Sequence, residues 1–231
     1  MPFPFIAVAI AAAVFGGGGG AAIYVFWEDV KAFFSKRTLV ILGQRRTGKT
    51  TLITRLVEKK ILDQYTATGA PVPRAGVRIE TVDQKVVRTK QIADVGGGAD
   101  DRDVVWREQY ERAAQAGSAG LVIYVVNLKH VIEGQQGHID RACSDAERIG
   151  TWQTEAGKMN APHIILVGSH ADQLPGWPDP SAEQLDAFRR TTVYDGFHGL
   201  KGFRGAVIGQ LNEEGGIESV LREVLRHMKD L

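Results

Sequence analysis

The feature that most narrows what this chain can fold into is an eight-residue stretch, Gly43-Gln-Arg-Arg-Thr-Gly-Lys-Thr50, set between an apolar run and an amphipathic one. The run before it, Thr38-Leu-Val-Ile-Leu42, reads as a short buried strand, and Thr51 to Lys59 has helical character. A strand that turns through glycines into a helix points successive backbone N–H groups, together with the helix amino end, at one spot in space. Gly43 and Gly48 permit the turn, Lys49 adds a mobile ammonium, and the Thr50 hydroxyl is a ligand for Mg2+. Spacing and context together predict a phosphate-binding loop that also contains Arg45, Arg46, Thr47 and Thr51. The two arginines either lie along the phosphates and add charge there, or point to solvent from the loop crest.

Two later segments fit around such a loop. Ile92-Ala-Asp94-Val-Gly-Gly97 ends a second strand with an Asp followed three residues on by a Gly, so Asp94 would reach the metal through water and the Gly97 N–H would face a terminal phosphate. The strand His163-Ile-Ile-Leu-Val-Gly168 delivers Ser169-His-Ala-Asp172 at its carboxyl end, where α/β sheets bind ligands. A carboxylate in that place accepts two hydrogen bonds from the ring and exocyclic nitrogens of guanine, a pairing adenine does not offer. The competing reading of Asp172 is a turn or cap residue before Leu174-Pro175. The segment Ala206-Val-Ile-Gly-Gln210 precedes a turn and a helix, which would bring the backbone of Gly209 and Gln210 near the same base.

In this order the motifs resemble the small-GTPase superfamily, and within it the Arf/Arl and signal-recognition-particle-receptor beta-subunit branch. Gly48-Lys-Thr-Thr51, Asp94-Val-Gly-Gly97 and Gly76-Val-Arg-Ile-Glu-Thr-Val82 carry the likeness, and Trp106-Arg107, Tyr110, Leu121-Val-Ile-Tyr-Val-Val126 and Asp172-Gln-Leu-Pro175 extend it over roughly residues 38 to 231. The resemblance implies a P-loop α/β domain that binds GTP or GDP with Mg2+, with Lys49, Thr50 and Gly97 as the catalytic set and Thr50 and Asp94 at the metal. The chain departs from the pattern at three places. Arg74 falls where the family has its first-switch Thr, with Thr66 and Thr68 as the nearest substitutes; Gly98 stands where the water-orienting Gln belongs; and Ser169 and His170 replace the Asn and Lys of the base motif. A missing water-orienting side chain implies slow intrinsic hydrolysis, which an activating protein could relieve by supplying the group. The expectation is a slow GTP-hydrolysing switch, against a nucleotide-bound adapter that recruits a cytoplasmic effector without turnover.

The amino terminus makes a separate demand. From Pro2 to Trp27 there is no charged side chain, and at about 1.5 Å per residue roughly 20 helical residues cross a hydrocarbon core of about 30 Å. Tyr24 and Trp27 fall where an interfacial aromatic belt would lie, and Lys31, Lys36 and Arg37 follow, which predicts a single-pass anchor with the remaining domain cytoplasmic. A cleaved signal peptide is disfavoured because no basic residue precedes the apolar stretch. The spacing of Gly16 and Gly20 would let two such helices pack closely and self-associate. The expected organisation is an anchor over 1–27, a juxtamembrane linker over 28–37 and one domain over 38–231, built as a mostly parallel sheet of about six strands with helices on both faces.

Composition adds exclusions. A chain of 231 residues with net charge +1 and 24% charged residues gives no electrostatic footprint for nucleic acid. A lone Cys143 rules out an internal disulfide, and no two of the six histidines stand at helical or finger spacing for a transition metal. Ile217, Val220, Leu221, Val224, Leu225 and Met228 recur at intervals of three and four, predicting a helix over Ile217 to Leu231 packed on the sheet. A half-buried helix is expected between Gly134 and Pro162, another near Ser181 to Arg190, and Asp100, Asp101 and Asp103 are expected at the amino end of a helix after the second switch.

Overall fold

Three runs, Thr38–Gly43 (β1), Gly120–Asn127 (β4) and His163–Ser169 (β5), are buried at every residue, as strands covered on both faces must be. With Arg74–Ile79 (β2), Val87–Asp94 (β3) and Phe203–Ile208 (β6) they form a six-stranded sheet of order β2-β3-β1-β4-β5-β6. Only β2 runs antiparallel to its neighbour. This computed structural model describes residues 19–58, 74–79, 87–94, 106–155, 161–177 and 182–229. Thr66, Thr68, Gly97, Gly98, the three aspartates at 100, 101 and 103, and the apolar run before residue 19 lie outside them.

Helices cover both faces, as expected. They are Gly19–Phe34 (α1), Lys49–Glu58 (α2), Arg107–Gln115 (α3), Leu128–Ile132 (α4), Gln136–Glu155 (α5), Ala182–Arg189 (α6), Thr192–His198 (α7) and Glu214–Lys229 (α8). Because successive strand residues point to opposite faces, the core divides by parity. Leu39, Ile41, Leu121, Ile123 and Val125 pack with α1, α2 and α8. Val40, Leu42, Val122, Tyr124 and Val126 pack with α3, α5, α6 and α7. All six apolar residues of the carboxyl-terminal stripe are buried in the first cluster, so that helix is a core element. The helix near Ser181 is followed by a second one, α7, capped at its start by the Thr191 hydroxyl accepting from the Tyr194 N–H.

The amino-terminal region differs from the expectation. Over Glu28–Phe34 the anticipated linker is instead the second half of α1, docked on the domain. Phe26, Trp27, Val30 and Phe34 are buried, and the Trp27 indole Nε1 donates to Glu218 Oε1 at 2.9 Å. The Arg222 guanidinium lies 4.2 Å from the centre of the Phe26 ring, and that of Arg37 4.3 Å from the Phe33 ring. The physical reason is spacing. Residues 27, 30 and 34 share one helical face that matches the apolar stripe of α8, so burial there outweighs the charges of Glu28, Asp29 and Lys31, which lie on the other side or along the edge. Trp27 is therefore a core residue, 7% exposed, and not a member of an interfacial belt. Among the described residues, no helix is long and apolar enough to cross a membrane.

Candidate functional site

The centre of the site is the turn between β1 and α2. Gly43 adopts φ +139°, and a Cβ there would stand 2.1 Å from the Val125 carbonyl oxygen of β4. Gly48 has φ +86°, and its Cβ position meets the Leu211 side chain at 3.1 Å. Both glycines are thus required, one for close approach of two strands and both for the backbone path. Between them the loop closes on itself. The Thr47 hydroxyl donates to the Gln44 carbonyl at 2.9 Å, and the Lys49 ammonium donates to the same oxygen at 2.5 Å. Lys49 is 7% exposed and Thr47 is buried, whereas Arg45, Arg46 and Thr50 are exposed. The arginines thus sit at the crest, with Arg46 at φ 61°. The cradle that two Cβ atoms would fill, the α2 amino end and a sequestered ammonium suit a phosphate chain.

The sheet assembles the rest around this turn. β1 lies between β3 and β4, so connections leave it in both directions, the topological switch point at which ligands bind outside the carboxyl ends of strands. Asp94 is placed by register opposite Ile41, two residues before Gly43. Asp94 thus stands by backbone register beside β1, and the exposed Thr50 hydroxyl is an oxygen donor of the kind Mg2+ takes.

On the other side, β5 ends at Ser169, fully buried, whose hydroxyl donates to the Val126 carbonyl at 2.9 Å. With that hydrogen committed, its oxygen accepts from His170 Nδ1 at 2.8 Å, which places the ring proton on Nδ1. His170 takes the left-handed conformation, φ 60°, and opens the short 3-10 turn Ala171–Gln173 that carries Asp172. Burial holds the His170 imidazole below its ordinary pKa, opposed by the nearby Asp172 carboxylate. The loop after β6 closes the corner: the Gly209 N–H donates to the Gly168 carbonyl at 2.9 Å, and the Gly209 carbonyl accepts from the Ala171 N–H at 3.3 Å. Gln210 turns its side chain away, accepting from Trp177 Nε1 at 3.1 Å and donating to Glu213 at 3.0 Å.

These pieces enclose a cavity of about 190 Å3 lined by Gly48, Thr51, His170, Asp172, Leu211 and Asn212. A neighbouring cleft of about 320 Å3 runs along Thr50, Thr54, Arg55 and Ile217. The structure thus brings Gly48, Thr51, His170 and Asp172, from segments more than a hundred residues apart in sequence, into one pocket. Leu211 and Asn212 were missed by sequence reasoning. Asn212 donates to Asp172 Oδ2 at 3.4 Å, and Leu211 packs on Gly48. Gln44 was also missed, and its burial is its only signal: a polar side chain 3% exposed inside a loop. No group of three or more His, Cys, Asp or Glu side chains among the described residues forms a metal cage.

The turn, the switch-point sheet and the pocket between three loops are those of the P-loop GTPase fold. Residues 25–135 match the model of the ADP-ribosylation factor (Arf) family, so that just under half of the chain is similar to it. Its fold is similar to that of an ADP-ribosylation-factor-like GTP-binding protein, the small COPII coat GTPase from Encephalitozoon cuniculi solved with GDP, at TM-score 0.52 and 14% identity over 89% of this chain and 83% of that one. The mammalian signal-recognition-particle receptor aligns at TM-score 0.49 and 12% identity, over 83% of this chain and 100% of that chain. No curated protein matches in sequence.

Proposed function

We propose that the chain is a membrane-anchored guanine-nucleotide-binding switch that hydrolyses GTP slowly. The observation that carries this reading is the single pocket in which Gly48 and Thr51 of the phosphate loop meet His170 and Asp172 of the base corner. Lys49 and the loop amides hold the phosphates, with Gly43, Arg45, Arg46, Thr47 and Gly48 shaping the loop around them. Thr50 and Asp94 position Mg2+, which supplies neutralisation of phosphate charge when bound. The Gly97 N–H senses the terminal phosphate. Asp172 reads guanine, with the His170 ring and the Gly209–Gln210 backbone as the walls of the base site. Of the uncharged run 2–27, the part before the docked Phe26 and Trp27 anchors the chain in a membrane with the domain on the cytoplasmic side, a reading supported by the absence of charge there and the basic residues that follow it.

A second reading is favoured by Gly98 and Arg74: a nucleotide-loaded adapter that recruits a cytoplasmic partner without turning over. Single-turnover hydrolysis with and without cell extract separates the two, since a negligible rate under both conditions leaves only the adapter.

The primary test is equilibrium binding of fluorescent GTP, GDP and ATP to the full chain in detergent, with Asp172→Asn and xanthine nucleotide as the specificity arm. Tight guanine-nucleotide binding, weak ATP binding and a shift of the variant toward xanthine are expected. Equal affinity for ATP and GTP would sink the guanine assignment.

A further inference from the structure

The phosphate loop is fastened to a helix that no residue of the expected site belongs to. Gln44, the second residue of the loop, has its side chain turned inward against the first turn of α5. Gln44 Nε2 donates to the His138 main-chain carbonyl at 2.8 Å, and Gln44 Oε1 lies 2.9 Å from His138 Nδ1. A main-chain carbonyl only accepts, so the amide nitrogen must face it; the amide oxygen then faces the ring, and His138 Nδ1 carries the proton it donates. The two bonds form a closed, two-point latch between residues 94 apart in sequence. The His130 ring lies tilted at 49° against that of His138, centre to centre 4.2 Å, and backs the latch from α4.

The other end of Gln44 is its main-chain carbonyl, the oxygen that accepts both the Thr47 hydroxyl and the Lys49 ammonium. A residue pinned by its side chain and serving with its backbone fixes where that ammonium rests. We propose that Gln44 and His138 are positioning residues of the phosphate site: the latch sets the Gln44 carbonyl, and through it the place from which Lys49 meets a phosphate. This rests on the phosphate-binding reading given above. It adds a dependence of phosphate affinity on the start of α5, a helix that contributes nothing to the pocket itself.

The experiment compares Gln44→Leu, His138→Ala and the double variant with the unaltered full chain. Amide hydrogen exchange without nucleotide comes first. Faster exchange over residues 44–50 is expected in Gln44→Leu, which removes both bonds, and to a smaller degree in His138→Ala, which keeps the main-chain carbonyl, with the double variant no faster than Gln44→Leu and cooperative thermal unfolding retained in all; unchanged protection of the loop overturns the latch. GDP and guanosine binding come second. GDP affinity is expected to fall about five- to tenfold in Gln44→Leu, the size of one lost buried hydrogen bond, and less in His138→Ala, with no further loss in the double beyond Gln44→Leu, while guanosine, which lacks phosphates, is held equally by all. Equal weakening of GDP and guanosine, or additive losses, overturns the proposal by assigning the pair a general structural role. If the unaltered chain binds no GDP, the functional reading fails, and hydrogen exchange still decides the latch.

Discussion

The two ends of the pocket are built differently. The end proposed for phosphate is backbone: Gly43 wedged against Val125, Gly48 under Leu211, and a buried Lys49 folded onto the loop carbonyl. The end proposed for the base is side chain: Ser169 turned back to Val126, His170 in a left-handed conformation, and Asp172 met only by Asn212 at 3.4 Å among the hydrogen bonds described. Backbone packing leaves almost no tolerance and reads almost the same ligand group every time. Side chains on three loop ends can be exchanged without disturbing the sheet, so on the proposed reading that end is where ligand choice would reside.

The contrast can be broken by substitution. Gly43→Ala is expected to have the largest effect, destabilising the fold by about 4 kcal/mol, because the added methyl meets a fixed carbonyl and the backbone sits at a φ that side chains rarely adopt. A melting curve near that of the unaltered chain would show that β1 and β4 can separate, and would end the argument for a rigid phosphate end. Gly48→Ala should cost less, about 1–3 kcal/mol, since its neighbour is the flexible Leu211 side chain and the strain of φ +86° dominates; chemical denaturation measures it. At the base end, Asp172→Asn should leave stability within about 0.5 kcal/mol, as a partly exposed site with one long contact allows, while changing base preference in nucleotide competition. A large loss of stability there would make Asp172 a structural residue and erase the contrast.

The smallest expected effect concerns pH. The imidazoles of His138, His163 and His170 are all held below the ordinary value of 6.5, in each case first by burial; His130 and Arg141 add to the effect on His138, and Arg204 and Arg37 to that on His163. The unfolded chain therefore takes up protons before the folded one. The stability these groups contribute is complete above about pH 6.5 and is lost as pH falls through their folded values. Thermal midpoints should decline between about pH 7 and pH 5, and His170→Gln should flatten part of that decline; an unchanged slope would remove His170 from the set.

How far the sequence reveals these two ends follows from their construction. The turn from β1 into α2 is one continuous stretch whose path depends on its own glycines, so its shape from Gly43 to Thr50 could be read directly. The strands were legible for the same local reason, as was α8, whose stripe repeats at helical spacing. The place of Asp172 in the pocket was legible because it follows a strand at a fixed offset. Leu211 and Asn212 were not, since which residues of the 209–213 loop face the pocket depends on how α8 seats on the sheet. Gln44 was hidden because its partner, His138, reaches it only after β4 and α4 have folded back. The docking of α1 left a trace that charge obscured: Trp27, Val30 and Phe34 stand on one helical face, but Glu28, Asp29 and Lys31 between them resemble a solvated linker.

That docked helix has a mechanical consequence. A domain tethered through loose chain swivels freely and feels nothing of what pulls on its anchor. Here the apolar terminus runs into a helix whose Trp27, Val30 and Phe34 are keyed into the same cluster as Leu39, Ile41 and the α8 stripe. Load on the terminus is therefore carried as shear between α1 and α8, and the orientation of the pocket is stiffly coupled to the direction in which that terminus is held.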